Sequence, residues 1–280
     1  MSPVSDNKSK KELAFLQDLF IAPDWGERFA ELIDQHVKLP KQGRALYLNA
    51  GSGSHAIALQ ERGGPDLKWL CVDESHESLE LARAKAVTTK APAEFQLQSV
   101  ESLDLEDDQF DLTLADGSLL LPQRVPSMIS ELVRVARPRA CVAFSLPTSS
   151  SFGEFFSIYW EALNNSGFVD QAVAVETLIA ELPAVQQVEE IARLAGLEDV
   201  TSWTKIEEFD YDSGQAFTSA PLISDFLIRG WLSCVPEAHW EQVIHESARL
   251  IDQERHDGEF SLNVKATLVI GKKVDLPLAG

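Results

Sequence analysis

Residues 46–59 read LYLNAGSGSHAIAL, an apolar run that passes through Gly51-Ser52-Gly53 into a helix-like segment. Glycines where a buried strand hands over to a helix let the backbone approach a ligand closely, and the helix that follows offers free N–H groups. Asp73 closes a second apolar run, LKWLCVD, twenty residues after Gly53. An acid at the end of a second strand, at that spacing, holds the two hydroxyls of a ribose. Glycine turn and strand-end acid together point to a site for a nucleoside-bearing cofactor. The plainer alternative is that Gly51 and Gly53 serve a tight turn and Asp73 caps the next helix.

The elements that must position these residues follow from periodicity. Helical spacing covers 9–20 and 25–38, with Asp24 expected to cap the second segment. Strands are expected at 45–48, 67–72, 94–98, 110–115 and 140–147, with helices at 54–62, 76–87 and 126–137, the last ended by Pro138. Leu79, Leu81, Ala82 and Ala86 are available to the inner face of 76–87. Strands alternating with helices of this length predict βαβ crossovers, an α/β class and a mostly parallel, doubly wound sheet. Beyond residue 150 the pattern changes. An aromatic helix is expected over 152–168, an amphipathic helix over 184–197, strands over 199–211 and 261–273, and a mostly helical insertion between them. The last two strands suit an antiparallel pair at one edge. The expected organisation is one domain over 1–280: N-terminal helices over 1–40, a cofactor-binding core over 41–148, and lid-like insertions over 149–183 and 212–258.

Bulk composition narrows the function classes. Apolar residues make up 45% of the chain, enough for a proper core. The formal net charge of −20 disfavours unaided binding to nucleic acid or anionic membranes. Cys71, Cys141 and Cys234 lie far apart without metal-ligand spacing, so no zinc site or disulfide framework is expected. The polar N-terminus lacks an apolar signal region, and LISDFLIRGWLSCV is interrupted by Asp225 and Arg229. A cytoplasmic protein without membrane spans is the expectation.

ALYLNAGSGSHAIAL resembles motif I of the class I, seven-stranded, S-adenosylmethionine-dependent methyltransferases, and VDESHESLELARAKA is similar to their second motif. SVESLDLEDDQFDLTLADGSLLL and SELVRVARPRACVAFSLP resemble the later motifs, and the likeness covers residues 40–148. It is nearest to the small-molecule, type 11-like members. The resemblance implies a seven-stranded sheet with an antiparallel last strand, S-adenosylmethionine as cofactor and a small-molecule acceptor. It implies cofactor contacts from Asn49, Ala50, Gly51, Ser52 and Gly53 in the turn and from Asp73 and Glu74 after the second strand. Ser99 and Val100 belong at the adenine end, and Asp116 is the candidate for contact with the methyl region. The motif is degenerate. Tyr47 and Asn49 stand at its aspartate and first glycine, Ser99 replaces the acid that meets the adenine, and Arg139-Ala140 follows Pro138 in place of Gly-Gly.

Two alternatives stay open. A catalytically inactive binding or scaffold protein of the same fold suits the altered motif. Gly51-Ser-Gly53-Ser-His-Ala56 also satisfies the G-x-G-x-x-A pattern of NAD-binding oxidoreductases. Methyl transfer mainly needs alignment and exclusion of water, and a general base only for a hydroxyl or carbon acceptor. Phe152, Phe155, Phe156, Tyr159 and Trp160, with the 217–240 insertion, either wall an acceptor pocket or bury one another. His239 and His245 suit surface or packing roles. His55 either touches the methionine end of the cofactor or caps its helix, and Trp25 either covers the cofactor or packs.

Overall fold

Apolar runs short enough for strands, each bounded by a turn and followed by an amphipathic helix, give the chain its architecture. A computed structural model describes residues 8–89, 93–254 and 258–275. The helices begin with α1 (Lys10–Leu16), which runs through a π-helical segment (Gln17–Gly26) into α2 (Glu27–His36). The core follows as β1 (Gly43–Leu48), α3 (Ser54–Gly63), β2 (Leu67–Asp73), α4 (His76–Thr89), β3 (Glu94–Leu97), β4 (Phe110–Asp116), α5 (Val125–Val135) and β5 (Ala136–Pro147). Then come α6 (Gly153–Asn165), α7 (Ala172–Glu181), α8 (Val185–Leu194), β6 (Leu197–Tyr211), α9 (Gly214–Ser219), α10 (Ile228–Trp231), α11 (Trp240–Glu254) and β7 (Phe260–Lys273).

The sheet has seven strands in the order 3-2-1-4-5-7-6, with the last strand antiparallel, as the resemblance implies. Strand β1 pairs in parallel with β2 and with β4, so the order reverses between β1 and β4. That reversal opens a crevice beyond their C-terminal ends, which is where open α/β sheets bind ligands. On one face, α5 packs Met128, Ile129, Leu132 and Val133 against Leu46, Leu48, Phe110 and Phe144 of the strands. Each such side chain contributes about 1.5–3 kcal/mol when removed from water.

Two expectations are corrected. Asp24 caps nothing, because the helical run passes through it from Lys10 to His36. Pro23 lies inside the π-helical turns, and Asp24 instead accepts a 2.9 Å bond from Arg28 Nε one turn on. Pro138 does not end a helix either: α5 stops at Val135, and Pro138 lies inside β5. There the register shifts between the pairs Phe110–Ala136 and Leu112–Cys141, and Arg139 takes a left-handed φ of 66° where the family commonly has glycine. The bulge absorbs the residues that cannot join the ladder.

The chain forms two compact units. Among the described residues, one contains Lys10–Leu146, Ala184–Thr204 and residues 266–275; the other contains Pro147–Pro183 and Lys205–Lys265. In the second unit the aromatic segment buries itself: Phe155 lies 4.7 Å from Trp231 and 5.0 Å from Phe217, and the Tyr159 hydroxyl donates to the Trp231 carbonyl at 3.0 Å. Trp160 is the exception, half exposed on the helix surface. His239 and His245 are exposed, and His239 lies against Phe168 at 5.1 Å.

Glycine is required at Gly53, where φ is +76° and an added Cβ would stand 2.9 Å from the Ala82 Cβ and 3.3 Å from Phe95. Gly167, which follows the end of α6 with a φ of +86°, has open space around it. Gly167→Ala is therefore expected to cost only the backbone strain, about 1–2 kcal/mol. Gly53→Ala should lose a further 1–3 kcal/mol, roughly, to overpacking. Urea unfolding of both variants measures the difference, and equal midpoints would refute the close approach at Gly53.

Candidate functional site

The turn after β1 is shaped by three left-handed residues: Asn49 at φ 54°, Gly51 at 54° and Gly53 at 76°. Asparagine tolerates this region better than other side chains with a Cβ. Here its side chain has a further task, since Asn49 Nδ2 donates to the Asp116 carbonyl at 2.9 Å and ties the turn to the end of β4. On the other side, the Ala50 N–H donates to Val72 and the Gly51 N–H donates to Asp73 Oδ2 at 2.8 Å. Asp73 Oδ1 accepts from the Ser75 N–H, also at 2.8 Å. The cap of α4 is Ser75, whose Oγ accepts from the Ser78 N–H, and not Asp73.

Asp73 is nearly buried at 9% exposure, and desolvation pushes its carboxyl above the usual carboxylate value despite the two backbone donors. A carboxylate has about four acceptor positions, so two remain after the Gly51 and Ser75 bonds. Asp116 is half-buried at the end of β4. Its carboxyl is also raised by desolvation, while Oδ1 accepts from the Ser118 N–H at 2.8 Å.

A cavity of about 490 Å³ opens beside this turn, within the range of small-molecule sites. Asn49, Ala50, Gly51, Ser52 and Asp116 line it, so the structure gathers these five expected site residues around one space. An added Cβ at Gly51 would approach Gln17 Nε2 at 3.5 Å. The opposite wall is the N-terminal helical run, through Ile21, Trp25, Ala30, Glu31 and Asp34. Trp25, 1% exposed, both packs and lines the cavity. The run is fastened over the turn by Lys85, whose Nζ donates to Ser52 Oγ at 3.0 Å, to Ser54 Oγ at 2.8 Å and to Asp18.

Gly53, Asp73, Glu74, Ser99 and Val100 do not line that cavity among the described residues. Glu74, Ser99 and Val100 are instead joined to each other. Glu74 Oε1 accepts from Ser99 Oγ at 3.0 Å and from the Val100 N–H at 3.2 Å. Arg124 donates to both oxygens of Glu74, at 2.6 and 3.0 Å, and to Glu101 Oε2 at 2.7 Å. The guanidinium holds the Glu74 carboxyl below its ordinary value. Arg124 escapes sequence reasoning because it lies fifty residues from Glu74 and in no motif. Tyr47, His55 and Asp34 form a second group that motif reading does not assemble. The Tyr47 hydroxyl is 2.8 Å from His55 Nδ1, and His55 Nε2 is 3.2 Å from Asp34 Oδ1. Among the described residues no cluster of three His, Cys, Asp or Glu is arranged for a metal, and no helix is long and apolar enough to cross a membrane.

Known proteins resemble the chain in sequence and in fold. A family model described as a methyltransferase domain matches residues 45–139. The chain is 26% identical over 164 residues to malonyl-[acyl-carrier protein] O-methyltransferase of Pseudescherichia vulneris, covering 56% of this chain and 65% of that protein. It is 26% identical over 163 residues to demethylmenaquinone methyltransferase of Lactococcus lactis subsp. lactis (strain IL1403), covering 54% and 64%. The match thus spans just under two thirds of each relative's length. Among solved structures, the YcgJ protein of Bacillus subtilis superposes with a TM-score of 0.58 at 17% identity, over 89% of this chain and all of that one, a likeness of fold. The nicotinamide reading of the glycine turn gives way to this match. Residues 45–139 thus match a methyltransferase domain of the class I, S-adenosylmethionine-dependent kind, set in a seven-stranded sheet of that type.

Proposed function

We propose that the chain binds S-adenosylmethionine at the turn after β1 and transfers its methyl group to a small-molecule acceptor. The observation that carries this reading is the buried Asp73 carboxylate, anchored to the Gly51 N–H and still able to accept two hydroxyls, beside a cavity lined by the same turn. The residues present fit the cofactor. Gly51 holds the left-handed turn beside the cavity, Asp73 is the acceptor for a ribose, and Asp34, Glu31 and Asp116 make the cavity attractive to cationic groups. When bound, the cofactor supplies a methyl group activated on a positively charged sulfur. Ile21 and Trp25 exclude water from the cavity, and Asp116 is the candidate neighbour of the methyl region. The two relatives act, by their names, on malonyl-[acyl-carrier protein] and on demethylmenaquinone, two unlike acceptors.

A second reading, a protein of this fold that no longer binds the cofactor, is favoured by the Glu74–Arg124–Glu101 bridge, whose groups satisfy one another at the end of β2. Calorimetry separates the two. S-adenosylhomocysteine is expected to bind the wild type, and Asp73→Ala to weaken it by about tenfold or more, the scale of a lost hydrogen bond to a charged group. Asp107→Ala, at an exposed carboxylate, should leave binding unchanged, and urea unfolding shows whether Asp73→Ala remains folded. Absence of binding to the wild type at millimolar ligand sinks the cofactor reading.

The raised Asp116 carboxyl also has a stability consequence. Below its ordinary value of 3.8, Asp116 is neutral in both the folded and unfolded states and contributes nothing. Above its raised folded value, the desolvated carboxylate lowers stability. Asp116→Asn should therefore be more stable than the wild type at neutral pH, with the advantage shrinking as pH falls toward 3.8. Urea midpoints measured across that range test the sign.

A further inference from the structure

We infer that Tyr47, His55 and Asp34 form a proton relay in the cavity wall, and that the acceptor is one that must lose a proton as it is methylated: a hydroxyl or a carbon acid. This rests on the methyl-transfer reading above and narrows its acceptor class. The three side chains come from three elements, β1, α3 and α2, and all line the same cavity.

Their order follows from hydrogen-bond geometry. Asp34 Oδ1 stands 3.2 Å from His55 Nε2, and Arg62 holds Asp34 through both its carboxylate and its carbonyl, so the carboxylate stays aimed at the ring. A carboxylate accepts only, so the neutral imidazole carries its proton on Nε2. Nδ1 is then the acceptor for the Tyr47 hydroxyl at 2.8 Å, with the two rings edge-on at 5.5 Å. The lone pairs of the Tyr47 oxygen are left for a ligand proton. Burial, together with the nearby Asp116 carboxylate, keeps the phenol well above its ordinary value, so Tyr47 is no standing phenolate. It can only pass its own proton to Nδ1 as it receives another.

The proton balance is complete. The acceptor O–H or C–H bond breaks and its proton moves to the Tyr47 oxygen, while the Tyr47 proton moves to His55 Nδ1. The resulting imidazolium is held by the Asp34 carboxylate. The electron pair left on the acceptor forms the bond to the methyl group, and the pair of the methyl–sulfur bond stays with the sulfur, which becomes a neutral thioether. A neutral amine brings its own lone pair and needs no such relay. The charged and titratable groups around His55 are Asp34, Glu27 and Glu31 from α2, Tyr47 from β1 and Asp116 from β4, with Arg62 from its own helix on Asp34.

The test uses the full chain loaded with S-adenosylhomocysteine and para-nitrophenol as the acceptor probe, read by phenolate absorbance at a pH below the free phenol's midpoint. The wild type should bind the probe with its phenolate fraction raised. Tyr47→Phe and His55→Gln should each lower the bound ratio of phenolate to phenol by about tenfold, one pKa unit. Their affinity for S-adenosylhomocysteine should stay within about threefold of wild type, under 0.7 kcal/mol. If His55→Gln does not fold by circular dichroism, Tyr47→Phe carries the comparison. No phenol binding, or equal ionisation in Tyr47→Phe, overturns the relay. A tenfold loss of S-adenosylhomocysteine affinity with unchanged phenol ionisation assigns the group to the cofactor instead. Benzylamine displacing the phenol as effectively as unlabelled phenol does overturns the acceptor class. Failure of S-adenosylhomocysteine to bind the wild type removes the methyl-transfer reading itself, and the relay with it.

Discussion

The backbone of residues 49–53 must turn sharply at the point where strand order reverses, and its polar groups must still be satisfied. Left-handed conformations at Asn49, Gly51 and Gly53 make the turn, and hydrogen bonds to both neighbouring strands secure it. From β2, Asp73 takes the Gly51 N–H; toward β4, Asn49 reaches the Asp116 carbonyl. A buried N–H without a partner costs about as much as a lost hydrogen bond, so these contacts decide whether the turn holds its shape. The cavity, its anionic wall and the positions of Tyr47 and His55 all follow from that shape.

Charge is handled differently on the two sides of the turn. Toward the N-terminal helical run the carboxylates of Asp34, Glu31 and Asp116 share the cavity, and two basic groups, Lys85 and Arg62, tie the surrounding helices down. At the end of β2 the opposite choice is made, and Arg124 is shared between Glu74 and Glu101. Half-exposed pairs of this kind are worth little in stability but hold side chains in place.

Much of the core was legible because strand and helix periods differ and glycine marks the hand-over between them. The segments 45–62 and 67–87 are examples, with apolar runs of strand length followed by helical spacing. The N-terminal run was less legible. Asp24 read as a cap, yet wide π-helical turns carry the helix through it and through Pro23. Pro138 misled in the same way, since a bulge in β5 tolerates a missing N–H that a regular ladder does not. Of the site, the turn and Asp73 were visible because they lie within local motifs. Arg124 and Asp34 were not, because their partners are distant in sequence and nothing in local periodicity records them.

The sequence alone determined the class of fold, the place of the glycine turn and the acid that secures it, because these depend on local sterics and on short-range spacing. Tertiary structure decided what the unusual residues do. Tyr47, which looked like the loss of a motif carboxylate, became one end of a hydrogen-bonded chain through His55 to Asp34. Asn49, which looked like a tolerated replacement for glycine, became the tie between β1 and β4. Both outcomes depend on which side chains folding brings within hydrogen-bond reach, and that distance is set by the packing of α2, α3 and the sheet rather than by any interval along the chain.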